Sequence, residues 1–154
     1  MRLIISLLFF FTFTMIVNAQ KLDILQIRNV YYKAVESETA TQKLKSILNN
    51  SMNDNCLTIG YEAAMYMLLS KHSLDPITKY KWFLKGRDLL EDIILKNTKS
   101  IELRFLRYSI QLQLPSFLKY NLEIENDRHF IKSNLESLDD NDLKIRILSF
   151  LKNY

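Results

Sequence analysis

Apolar residues recur along most of this chain at steps of three and four, the spacing that gathers them on one side of an α-helix. Polar clusters break the pattern at 49–55, 73–76, 97–100, 114–115, 121–126 and 139–141. Between the breaks the spacing predicts helices over 22–36, 39–49, 56–72, 76–96, 100–114, 126–138 and 141–152, with a short helical turn after Pro115. Asp75-Pro76 is a start signal: a capping carboxylate followed by proline at the first helical position, where its missing N–H costs nothing. Asp139 with Asp142 three residues later has the spacing of a capping box with the shorter acid. Two glycines and two prolines are too few for the many turns of an all-β fold. The chain therefore reads as all-α, about seven helices stacked as antiparallel helical hairpins.

The number of apolar faces per helix predicts its place in the stack. In the first helix Ile24, Ile27, Tyr31, Ala34 and Val35 lie opposite Gln26, Asn29, Lys33 and Glu36, one buried stripe on a surface helix. The third is apolar almost all round, with Glu62 the single acid among its apolar positions, and should be enclosed. The fourth shows two apolar faces, Tyr80, Phe83, Leu84, Leu90 and Ile94 against Trp82, Gly86, Leu89 and Ile93. Gly86 in mid-helix costs about 1 kcal/mol against alanine, so it is expected at a close helix crossing. The fifth sets Ile101, Phe105, Tyr108 and Leu112 opposite Leu103, Leu106, Ile110 and Leu114, and should be sandwiched. The last returns to one face, Leu143, Ile147, Phe150 and Leu151. One-sided helices at the ends with two-sided helices between them are what stacked hairpins need.

Two resemblances follow from particular residues. Leu89-Leu90-Glu91-Asp92-Ile93-Ile94, Asn97-Thr98-Lys99-Ser100 and Ile101-Glu102-Leu103-Arg104 together resemble the joint between two tetratricopeptide repeats over about a fifth of the chain. This implies a tetratricopeptide-like stack or an irregular bundle. Ile27-Arg28 with Tyr31, Tyr61-Glu62-Ala63-Ala64, and Glu102-Leu103-Arg104-Phe105-Leu106-Arg107 leading to Pro115-Ser116-Phe117-Leu118 are similar to uncharacterised small exported all-helical proteins of Bacteroidetes-type bacteria. That likeness implies export and an all-helical fold, and brings no catalytic residue with it.

Arg2, the uncharged run 3–17 and the small-residue exit Val17-Asn18-Ala19 form the order of a secretory signal peptide. The run is shorter than the roughly 20 apolar residues of a membrane span. Residues 1–19 are expected to be a leader cut after Ala19, leaving 20–154 as a single helical domain, periplasmic or secreted, with no transmembrane span. Cys56 is the one cysteine, so no internal disulfide can form, and it reads as a small apolar residue near a helix start. Losing Arg2 leaves 17 acidic residues against a net charge of about +3, and 100–154 balances eight bases with eight acids. Lys79, Lys81, Lys85 and Arg87 point in three directions around a helix, so they form no nucleic-acid stripe.

Catalytic patterns are sparse. Glu125 and His129 stand at a metal-ligand step with no obvious third ligand, and a solvated segment capped by Asp127 is the reading preferred. Serine-hydrolase elbows and phosphate loops need glycines that this chain lacks. No cofactor is expected. The residues of interest are charges set among apolar positions. Arg28, Glu62, Arg87 and Glu91 are assigned to a structural polar network, because a buried charge needs a partner. Arg104, Arg107 and Gln111 share one polar stripe and are assigned to an open groove, where guanidinium forks would grip a carboxylate or the C-terminus of an envelope or secreted protein or peptide. The first functional reading is thus a non-enzymatic protein- or peptide-interaction module. The alternatives are a carrier or sensor of an apolar small ligand, motivated by Met65, Tyr66 and Met67, and a hydrolase with a site assembled from distant residues.

Overall fold

The computed structural model describes residues 24–50 and 55–154, so the expected leader lies outside the described residues. Among the described residues there are seven α-helices and no strand: α1 (24–34), α2 (Glu38–Asn50), α3 (Cys56–His72), α4 (Pro76–Lys96), α5 (Ile101–Gln113), α6 (Ile124–Asn134) and α7 (Asn141–Leu151). A 3-10 turn, Ser116–Leu118, follows α5 and ends at Lys119 in the left-handed region with φ 51°. The all-α expectation therefore holds. No helix among the described residues is long and apolar enough to cross a membrane.

Local chemistry explains most helix starts. Asn55 accepts the Thr58 amide at 2.9 Å for α3, and Asp75 accepts that of Thr78 at 2.8 Å with Pro76 next to it for α4. Ser100 does the same for Leu103 at 3.3 Å in α5. At α7 the cap is Asp140, which accepts the Leu143 amide at 3.0 Å. This corrects the expected Asp139–Asp142 capping box: Asp142 is drawn away to arginines instead. Helix α6 begins two residues earlier than expected, at Ile124.

Helix α3 lies at the centre, packed most extensively on α4 and also on α2 and α5, while α5 packs on α6. From α2 to α6, neighbours in sequence are thus neighbours in space, as in stacked hairpins. The main core joins Ile27, Tyr31 and Ala34 of α1 and Leu44 of α2 to Ala63, Ala64 and Met65 of α3, Leu90 of α4 and Leu103, Leu106 and Ile110 of α5. A second core joins Phe105 and Tyr108 of α5 to Ile131 and Leu135 and to Leu143 and Ile147 of α7. Helix α5 feeds one face to each core, as its sequence requires. Helix α4 departs from expectation: Phe83, Gly86, Leu90, Ile93 and Ile94 make one broad buried stripe, and Tyr80 is 54 % exposed.

Both glycines sit at helix crossings. A Cβ on Gly60 would meet the end of Leu103, and one on Gly86 would lie 2.7 Å from the backbone oxygen of Ala63 and from Met67 Cγ. A backbone oxygen cannot rotate aside. Gly86→Ala should therefore lower the unfolding free energy by up to about 2 kcal/mol, since overpacking typically costs about 1–3 kcal/mol against a helix-propensity gain of about 1 kcal/mol. Urea denaturation followed by circular dichroism checks this, and a stabilised variant would contradict the close crossing.

Candidate functional site

Arg28 projects from α1 and is 1 % exposed. Its Nε and Nη2 donate to Glu102 Oε1 and Oε2 of α5, both at 2.7 Å, a fork-to-fork pair. Nη2 also donates to Asp140 at 2.8 Å, and Nη1 to Asp142 at 3.0 Å. Tyr61 of α3 donates its hydroxyl to Glu102 at 2.8 Å. Arg146 closes the outer side with two bonds to Asp142 and one to Asn29 at 2.7 Å. Burial opposes the charge on Arg28, but the hydrogen bonds it donates to Glu102 and Asp140 and the Glu102 charge together outweigh it and hold its pKa above the ordinary arginine value. Burial, with the Glu102 charge beside it, drives the Tyr61 hydroxyl well up.

A second cluster occupies the other side of α5. Arg107 donates from Nε to Asp127 Oδ2 at 2.7 Å and from Nη2 to Oδ1 at 2.8 Å, and from Nη1 to Glu91 at 2.6 Å. Arg104 reaches the same Asp127 Oδ1 at 2.9 Å, donates to the Thr98 carbonyl, and stacks over the Phe130 ring at 4.3 Å. Tyr120 donates to Glu91 at 2.5 Å. Asp127 is fully enclosed, so two guanidinium groups answer one buried carboxylate.

These positions revise the sequence reading. The stripe Arg104, Arg107, Gln111 does not line an open groove: Arg107 and Gln111 are buried and the arginine forks are filled by Asp127 and Glu91. The amide oxygen of Gln111 is enclosed without a hydrogen-bond partner. Asp127 does not cap α6; it lies within it, turned to α5. Of the four network residues, Arg28 and Glu91 sit in buried clusters. Glu62 accepts from Tyr66 in its own helix at 2.8 Å, and Arg87 pairs with Asp88 at the surface. Sequence reasoning missed Glu102, Asp127, Asp140 and Asp142 as the answering acids. Glu125 and His129 are both exposed.

The open feature lies elsewhere. A cleft of about 580 Å³ is walled by the end of α1, by α3, by the first turns of α4, by the end of α5 and by the 3-10 turn. Its lining is mainly apolar, including Val35, Met67, Leu68, Phe83, Leu114 and Phe117. Ser70, Lys71, Lys79 and Gln113, with the hydroxyl-bearing Tyr31 and Tyr80, are its polar residues, and the lining holds no histidine, cysteine or carboxylate. Ser70 donates to the Lys79 carbonyl at 2.8 Å, pinning the α4 wall to α3. Tyr80 and Phe117 stand 54 % and 77 % exposed at the margins.

Removing Arg28 strands Glu102 in the core, and breaking a buried pair costs about 3–5 kcal/mol. Arg28→Ala is therefore expected to lose stability of that order in urea titrations, far more than Arg87→Ala, whose partner is exposed. The hydrogen bond from Arg146, opposed by burial and aided by Arg28, holds the Asp142 carboxyl below its usual range. Such a group contributes stability above its unfolded pKa of about 3.9, and that contribution is lost as pH falls through the lower folded value. The melting temperature should hold from about pH 7 to 5 and fall below about pH 4, with a shallower fall in Asp142→Asn. Comparison with protein-family models, with curated proteins and with solved structures finds no match to this chain.

Proposed function

We propose that this chain is a non-enzymatic binding protein, acting in the periplasm or outside the cell, that holds an apolar ligand in the cleft between α1, α3, α4 and α5. The observation that carries the reading is the cleft itself, apolar-walled, half-open and about 580 Å³, within the roughly 300–1,000 Å³ of ligand pockets. A mainly apolar lining without histidine, cysteine or carboxylate supports binding over hydrolysis. Export rests on the expected leader. The arginine stripe is occupied by internal acids, so the weight moves from an arginine groove to the cleft. A second reading, contact with an apolar segment of an envelope or secreted protein or peptide, is supported by exposed Phe117 and Tyr80, since aromatic residues are enriched at interfaces.

The neutral dye N-phenyl-1-naphthylamine, which brightens in apolar surroundings, provides the test. Wild-type protein should bind it saturably at one site. Val35→Trp and Gln113→Trp each put an indole into the cleft from half-buried or exposed positions, and should weaken dye binding at least about tenfold, a change of about 1.4 kcal/mol. Circular dichroism confirms that each variant is folded. Absent binding, or binding unchanged in both folded variants, would sink the reading.

A further inference from the structure

We propose that the cleft selects an apolar chain ended by an anionic group, the chemistry of a single-chain amphiphile such as a fatty acid. The inference rests on the cleft being the binding site and adds the sign of the ligand's charge. Two lysines, Lys71 and Lys79, belong to the lining, and no acidic residue does. Lys71 Nζ donates to the Val35 carbonyl at 2.5 Å and to Glu36 Oε1 at 3.1 Å, so it is anchored at the end of α1 and partly neutralised. Glu36 itself lies outside the lining, with its side chain 82 % exposed. Lys79 is exposed and forms no ion pair among the described residues. The bond from Ser70 to its backbone carbonyl holds that turn of α4 in place while the ammonium stays available.

An anion-ended chain can bury its tail against Met67, Leu68, Phe83 and Leu114 and leave its head with Lys79 and Lys71. A cationic head at the same place meets two like charges and no lining acid. A neutral head gains only the burial of its tail. Exposed ion pairs are each worth about 0.2–1 kcal/mol, so two attractive contacts in place of two repulsive ones separate the head groups by about fivefold or more.

Displacement of N-phenyl-1-naphthylamine by three probes with the same tail reads this directly. Dodecanoate is expected to displace the dye at about fivefold lower concentration than dodecyltrimethylammonium, with dodecanol between the two and the gap narrowing in 1 M salt. Lys79→Glu should erase the preference for dodecanoate, each displacement being referred to that variant's own dye titration, and Lys79→Gln should leave an intermediate preference. An acetylated Leu-Leu-Phe peptide with a free C-terminus shares the chemistry and should displace the dye less well than dodecanoate. If it displaces better, the amphiphile assignment is overturned. Equal displacement by the anionic and cationic probes, or a preference unmoved in Lys79→Glu, overturns the charge selection and leaves the cleft reading standing. Loss of the dye signal from wild-type protein removes both.

Discussion

Helix α5 carries one half of each of two buried ion-pair clusters, and the positions of its neighbours follow from that. Glu102, near its start, is held by Arg28 of α1, which also gathers Asp140 and Asp142 at the start of α7. One and a half turns later Arg107 faces the other way, to Asp127 of α6 and Glu91 of α4. Removing such charges from water costs several kcal/mol per ion, so none can be buried without a partner of opposite sign within hydrogen-bond reach. A rotation or slide of α5 by one residue would break both clusters at once. The clusters therefore set the register of four helices against a fifth, a task that a uniform apolar seam performs less strictly.

Apolar burial supplies most of the stabilisation. Leu44, Leu90, Leu103, Ile131 and Ile147 are fully or almost fully enclosed, and each such side chain contributes about 1.5–3 kcal/mol on leaving water. Two cores meet on the opposite faces of α5, so the ion clusters lie at the seam between them. The close approach of α3 and α4 at Gly86 lets the main core pack without a gap between backbones. A cleft stays open among the described residues where the chain turns out of α5 at Pro115, between the 3-10 turn and the walls of α1 and α3. The cleft opens where α5 ends, and among the described residues no helix continues its apolar face.

The candidate site was less legible than the fold. Arg104, Arg107 and Gln111 were readable as one stripe, but a polar stripe on a two-faced helix can face solvent or a buried acid, and spacing does not tell these apart. Asp127 decides the matter from the next helix. A signal was present: Ile124, Asp127, Ile131 and Leu135 fall at helical spacing, so the acid interrupts the apolar stripe of α6 and had to be answered from α5. Read as a cap, it looked solvated. Lys79 likewise gave no sign of a cleft, since its neighbours there come from four separate elements.

Periodicity, caps and the scarcity of glycine and proline by themselves determined seven helices, their order, their approximate ends and the two-sided burial of α5. These are local properties, set by backbone geometry and by the few residues on either side of each position. Only the tertiary structure decided which acid answers which arginine, that the broad stripe of α4 faces one way, and that an apolar cleft with two lysines in its lining opens beside α5. Those outcomes depend on distances between residues as far apart as Arg28 and Asp142, and the pattern along one helix holds no information about the angle at which another crosses it.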